Sequence, residues 1–410
     1  MGKKGTLPMY DQTKCVHHPI VSQEGFVSLG VATYRASTIV FSDAQSYSKR
    51  QSRGPDGYSY GLYGTPTSRT LEAQLTQLHG GVGTVLLPSG QAAITGIMQS
   101  MLRPGDRVLV PGSAYPPVLA YCRDYLQEFG INHTIYDPLC GAEIEKLFDP
   151  RTRLVWVESP GSTSLEVQDL PAILQAAHRA GILVGCDNTW ASPLLCKPLA
   201  LGADFVVEAL TKYVGGHADV LMGSVSMREE VHAERLRGWL RSMGIGVSPD
   251  DCSLVLRGLE TMGVRLAHVG RIAADIAHKI GLSTAVQQVL HPSLPNHPGH
   301  ASFLRDFDGA SGLFSVELKP EAAPFLSSAL DGLKCFAIGA SWGGTHSLLA
   351  PITLVRGGDS ALSQQERTYL RISIGLEDPD DIWEDLNMIF YRLERELQNI
   401  SHSTKTRERS

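Results

Sequence analysis

Two residues of this 410-residue chain could share one piece of chemistry: Asp187 and Lys212, 25 positions apart. Each follows an apolar run. Ile182–Val184 leads into Asp187-Asn188-Thr189-Trp190, and Phe205–Leu210 leads into Thr211-Lys212-Tyr213. The spacing leaves room for a loop, a short helix and a return strand. Both side chains can therefore meet at the carboxyl edge of one parallel sheet, where open α/β folds bind ligands. A lysine and an acid in that place suit pyridoxal 5'-phosphate (PLP). Its aldehyde needs an amine for a Schiff base, and its ring nitrogen needs a carboxylate to stay protonated. The same two residues could instead form an ion pair that only orders the sheet.

The neighbouring motifs bear on that choice. Pro88-Ser89-Gly90-Gln91 follows a strand and opens a helix, so the N–H groups of Gly90 and Gln91 can point at a phosphate. A plain tight turn reads the same way. Tyr115, in Pro111-Gly112-Ser113-Ala114-Tyr115, can stack on a flat ring or sit in the core. The Thr211 hydroxyl can reach a phosphate, and Gly215-Gly216-His217 allows a tight turn beside Lys212. Arg371 lies in the apolar run Leu370–Ile374, where a cation is costly unless paired. A substrate α-carboxylate gripped by both guanidinium nitrogens is one partner, and a structural carboxylate is another. Ser341-Trp342-Gly343-Gly344 follows a strand and would shape a pocket wall. His291, His297 and His300 fit no common metal-ligand spacing and are interleaved with prolines, so no metal is expected.

Positioning such residues takes an α/β framework. Short apolar runs at Thr84–Leu87, Arg107–Val110, His133–Tyr136, Leu154–Val157, Ile182–Gly185, Phe205–Ala209 and Val220–Ser226 alternate with helical segments, among them Gln91–Met101 and Leu170–Ala180. Runs apolar on both faces predict a mostly parallel sheet covered by helices on both sides. A helical pattern from Leu71 ends at Gly80-Gly81. Residues 230–280 read as helical with no good strand, and His291–His300 as a looser Pro- and His-rich region. Strand-like runs return at Gly312–Leu318, Lys334–Gly339 and Tyr369–Ile374, before a final helix from Asp381 to Ile400. The expected organisation is an N-terminal extension over 1–65, a large cofactor-binding α/β domain over 66–250, a smaller α+β domain over 251–400 and a disordered polar tail over 401–410.

Bulk composition narrows the function classes. The apolar fraction of 43% and charged fraction of 19% are those of a soluble globular protein. A net charge of −6 with no basic stripe argues against nucleic acid. Seven scattered cysteines, with no C-x-x-C pair, fit a reducing cytoplasm, and no apolar run reaches transmembrane length. Met1–Tyr10 lacks a signal-peptide core. Met1–Thr6 matches the loose myristoylation pattern but also reads as a solubilising end.

Taken together, the motifs resemble the Cys/Met-metabolism PLP enzymes of fold type I, along nearly the whole chain from about residue 10 to 400. The resemblance is carried by Tyr60–Thr65 (YGLYGT), Glu158–Ser162 (ESPGS), the DNTW and TKY motifs, SWGG, and Arg371–Asp378 (RISIGLED). It implies that Lys212 is the Schiff-base lysine, Asp187 the partner of the ring nitrogen and Tyr115 the residue stacked on the ring. It further implies that Gly90, Gln91 and Thr211 bind phosphate, and that Tyr60 reaches the phosphate of a neighbouring subunit in a dimer of dimers. Arg371, Asn188 and the Ser341 backbone would hold the substrate carboxylate, with Trp342 beside them. ESPGS and SWGG resemble the β-lyase side of the family, which implies β-elimination of L-cystathionine to homocysteine, pyruvate and ammonia. γ-Elimination, γ-replacement and amino-acid racemisation are the alternatives. Leu62 stands where many members carry a phosphate-binding arginine, with Arg53 and Arg69 as candidates to replace it. Thr345-His346 stands where β-lyases often have a tyrosine and an acid.

Overall fold

The structure, a computed structural model, describes residues 25–54, 57–356 and 365–407. The myristoylation-like motif and Cys15 lie outside them. Thr33–Ser410 forms one compact unit, and the described residues before Thr33 belong to a separate short unit exposed along its length.

Seven strands build the first sheet: β1 (Gly83–Leu87), β2 (Arg107–Pro111), β3 (Asn132–Tyr136), β4 (Thr152–Glu158), β5 (Leu183–Asp187), β6 (Phe205–Ala209) and β7 (Gly223–Met227). Their order is β1-β7-β6-β5-β4-β2-β3, with only β7 running antiparallel to its neighbours. Apolar residues on both faces are the cause of this arrangement. Val155 and Val157 of β4 face one core while Leu154 and Trp156 face the other, so each strand must be covered twice. Each fully buried Val, Leu or Ile contributes about 1.5–3 kcal/mol. The mostly parallel, helix-covered sheet expected from the sequence runs is therefore present.

Helix starts are fixed by capping side chains. Helix α1 (Pro66–His79) opens with Pro66 after Thr65 and closes at Gly80 with φ 70°. Helix α2 (Gly90–Met101) is capped by Ser89, whose hydroxyl accepts from Ala92 N. Helix α3 (Leu170–Arg179) is capped in the same way by Asp169. Two more helices, α4 (Glu230–Met243) and α5 (Pro249–Ile280), fill the long helical stretch read between 230 and 280.

The second sheet holds β8 (Val286–Leu290), β9 (Leu313–Leu318), β10 (Ala337–Ile338), β11 (Leu348–Arg356) and β12 (Gln365–Ser373), in the order β10-β11-β12-β9-β8. Two of these strands escape sequence reading. Gln287 and Gln288 interrupt the apolar signal of β8, and Pro351 argues against β11. Pro351 is tolerated because β10 pairs only with Leu348 and Leu349, leaving that side of β11 open. One continuous core joins both sheets. Val155 and Val184 share it with Phe314, Ile372, Ile272 and Ile276 of α5, and Ile382 and Leu386 of the last helix.

That last helix, α6 (Pro379–Arg407), corrects one expectation: it continues through the first seven residues of the supposed disordered tail. No Gly or Pro follows Pro379 to stop it. No helix of the described residues is long and apolar enough to cross a membrane.

Candidate active site

The carboxyl ends of β4, β5 and β6 open into a cavity of about 220 Å³. Asp187, the last residue of β5, and Lys212, three residues past β6, both line it. Gly90, Gln91, Tyr115, Thr211, Trp342 and Arg371 line it too, so segments spread over nearly 300 residues of sequence converge there.

Each group is held by local structure. Lys212 Nζ donates to Ser341 Oγ at 2.8 Å and lies 5.2 Å over the Trp342 ring. Burial and the nearby Arg371 lower its pKa to about 8, against a smaller opposing pull from Asp187. Burial raises the Asp187 carboxyl to about 6. Thr189 works against that rise: its N–H donates to Asp187 Oδ1 at 2.9 Å, while its own hydroxyl accepts from Ala209 N. A raised carboxylate and a lowered lysine both gain from an added cation and an added electrophile respectively.

Helix α2 starts directly above the end of β6. A Cβ on Gly90 would lie 2.7 Å from the Ala209 methyl, and one on Gly223 would lie 2.3 Å from the Ser89 carbonyl. Only glycine permits this close approach. The first N–H groups of a helix have no intrahelical acceptor and favour an anion. Buried Gln91 Oε1, with no partner among the described residues, adds a polar atom at the same edge. Thr211 Oγ1 is tied to Met222 on the β7 side, donating to its carbonyl at 3.2 Å.

Arg371 comes from β12, opposite Ala350 of β11 and Ser315 of β9. It donates to the Ala340 carbonyl, and no ion pair is recorded for it among the described residues. Burial lowers its pKa. An unpaired cation in a cavity wall is a receptor for a carboxylate.

One sequence expectation, that for Asn188, needs adjustment. Asn188 does not reach the cavity. It follows Asp187 and so turns to the opposite face, where Nδ2 donates to the Cys196 carbonyl at 3.1 Å and to Glu208 Oε1 at 3.4 Å. Ser341 meets the site through its hydroxyl on Lys212. His346 is exposed and bonded to Thr345, away from the lining residues. Tyr60 is 46% exposed and lies outside this chain's own cavity. Leu62 packs against Gly246. Of its candidate replacements, Arg69 is bound to Glu72 and the Tyr63 carbonyl, and Arg53 lies over the Phe41 ring. The three histidines of the His291–His300 loop close its turns. His291 Nδ1 accepts from Ser293 N, and His297 Nδ1 from Gly299 N.

Sequence reasoning missed Glu158 as an individual site residue. It ends β4 beside Asp187, lines the cavity and accepts from Tyr115 N at 2.7 Å. Burial and the neighbouring Asp187 push its pKa well up. Its signal was present only inside ESPGS.

The sequence model described as Cys/Met metabolism PLP-dependent enzyme matches residues 12–390. The chain belongs to this family. Its cofactor is therefore PLP, and the residues present fit it: an amine and a carboxylate share a cavity with free helix N–H groups and an aromatic ring. A Rhizobium johnstonii relative is 41% identical over 89% of this chain and 91% of its own length. The cystathionine beta-lyase of Escherichia coli is 37% identical over 88% of this chain and 92% of its own. Among solved structures, cystathionine gamma synthase from Xanthomonas oryzae pv. oryzae in complex with cystathionine is similar with a TM-score of 0.82. That likeness has 31% identity and covers 91% of this chain and 95% of that one. The chain is thus an enzyme of amino-acid sulfur metabolism.

Proposed function

We propose that the enzyme is a carbon–sulfur lyase that eliminates the thiol from Cβ of L-cystathionine. The observation that carries this reading is the convergence of Lys212, Asp187 and Arg371 on one cavity. It offers an amine able to move protons, a carboxylate in want of a cation and a cation in want of a carboxylate. An α-amino acid bound through PLP satisfies all three. The β-lyase choice rests on ESPGS, SWGG and the likeness to the E. coli lyase.

Arg371 grips the substrate α-carboxylate and so fixes which bond at Cα faces Lys212. With PLP bound, Asp187 would hold the ring-nitrogen proton, Tyr115 would stack on the ring, and Gly90, Gln91 and Thr211 would hold the phosphate. PLP, when bound, supplies the electron sink for the pair left at Cα. Lys212 Nζ takes the Cα proton, for which its lowered pKa suits it, and delivers a proton to sulfur as the Cβ–S bond breaks. Homocysteine leaves. The three-carbon remainder takes up one water and departs as pyruvate and ammonia. The same proposal includes a homo-oligomer in which the segment around Tyr60 completes a partner's phosphate site. Domains divide near residue 250.

A γ-directed reaction is the second reading, favoured by the likeness to the gamma synthase structure. It would need a further proton moved at Cβ. Mass identification of the products from L-cystathionine decides between them. Pyruvate with homocysteine is expected; 2-oxobutyrate with cysteine would transfer the enzyme to γ-elimination.

A further inference from the structure

Behind the cavity, on the far face of β6, lies a second polar cluster that the mechanism above does not use. His79, the last residue of α1, and Glu208 of β6 are each 1% exposed. His79 Nε2 lies 3.6 Å from Glu208 Oε1, the same oxygen that accepts from Asn188 Nδ2. Among the described residues, neither ring nitrogen of His79 has a hydrogen-bond partner, and neither does Glu208 Oε2 or Asn188 Oδ1. Four orphaned polar atoms in one buried spot are costly to a fold and ask for an explanation.

A role in charge balance explains them. Three neighbouring strands carry an acid at or next to their carboxyl ends: Glu158 on β4, Asp187 on β5 and Glu208, one residue before the end of β6. Asp187 must be ionised to hold a protonated ring nitrogen, and every nearby negative charge works against that. We propose that His79 and Glu208 are positioning residues for the reaction: they share one proton as a net-neutral pair and thereby keep Asp187 free to ionise against the cofactor. This rests on the reading of Asp187 given above. Glu208 is among the groups that raise the Asp187 carboxyl, which agrees with its charge reaching through the sheet.

Other charged or titratable groups face this region. Glu158 lies on the adjacent strand, and Cys186 and Cys196 lie beside and behind Asp187. Lys212 and Arg371 approach from the cavity. Lys197 Nζ donates to the Leu78 carbonyl next to His79. All stay in place in the variants below.

The test titrates cofactor binding, with the dissociation constant of PLP from apoprotein measured between pH 5 and 8. Wild type should lose affinity on the acid side as Asp187 protonates, and Asp187→Asn should abolish that limb. Persistence of the limb in Asp187→Asn would refute the Asp187 reading itself. Given an Asp187 limb, Glu208→Gln should move its midpoint to lower pH and His79→Gln to higher pH, each by about one unit. The double variant His79→Gln/Glu208→Gln should not show the upward shift. Opposite shifts support the pair. Midpoints that stay put, or that move together while only the melting temperature falls, would reduce His79 and Glu208 to packing residues. Should His79→Gln fail to fold, a downward shift in Glu208→Gln with the double variant back near the wild-type midpoint still decides, because a packing role predicts no such reversal.

Discussion

Replacing Lys212 by alanine should lower kcat on L-cystathionine by about four orders of magnitude or more while leaving the fold intact. General acid–base catalysis by one group is worth about 10²–10⁴, and in the proposed reaction one amine serves two proton transfers, at Cα and at sulfur. The surroundings are built for that work. Burial and Arg371 bring the lysine to about pKa 8, so a useful fraction is neutral at physiological pH. An ordinary surface lysine would hold its proton too firmly to act as base. Ser341 Oγ, 2.8 Å away, gives the amine a resting acceptor close to where it works. Small primary amines added to the variant should restore part of the rate, since the cavity left by the side chain admits them. A Lys212→Ala enzyme that keeps more than a hundredth of the wild-type kcat would show that another group moves these protons.

The second large effect concerns Arg371. Arg371→Leu should cut kcat/KM for L-cystathionine by about 10²–10³, the loss expected when one partner of a buried hydrogen-bonded charge pair is removed. The loss should be specific. An analogue with its α-carboxylate replaced by an amide should be turned over poorly by both enzymes, with little difference between them. Stability should not fall, because leucine replaces a half-buried cation with no ion pair among the described residues, in an apolar strand between Ala350 and Ser315. Arg371→Lys should recover little, because a single ammonium cannot match a carboxylate with two parallel bonds. A destabilised variant with proportionate losses on both substrates would mark Arg371 as a structural residue.

Much of this site was legible because its residues occupy fixed points of a repeating pattern. An apolar strand run, then a polar residue at its carboxyl end, gave Asp187, Lys212 and the Gly90-Gln91 turn without reference to tertiary structure. Tyr115 and Arg371 followed from where an aromatic or a cation is out of keeping with its neighbours. What failed did so for physical reasons. Asn188 adjoins Asp187 in sequence, but the alternation of an extended chain sends it to the other face, into the Glu208 cluster. Strands β8 and β11 carry two glutamines and a proline, which hide edge and near-edge strands from composition. The His79–Glu208 pair joins residues 129 positions apart, and no local spacing announces such a contact. The last helix overran its expected end because polar residues alone do not stop a helix.

The most direct test of the account is where the cofactor is attached. Purified protein loaded with PLP is reduced with borohydride, digested and mapped by mass spectrometry. The account predicts the pyridoxyl mass on the peptide that contains Thr211-Lys212-Tyr213, and its absence there after Asp187→Asn has weakened binding or Lys212→Ala has removed the amine. Label on a different lysine, with Lys212 unmodified in active enzyme, would contradict it.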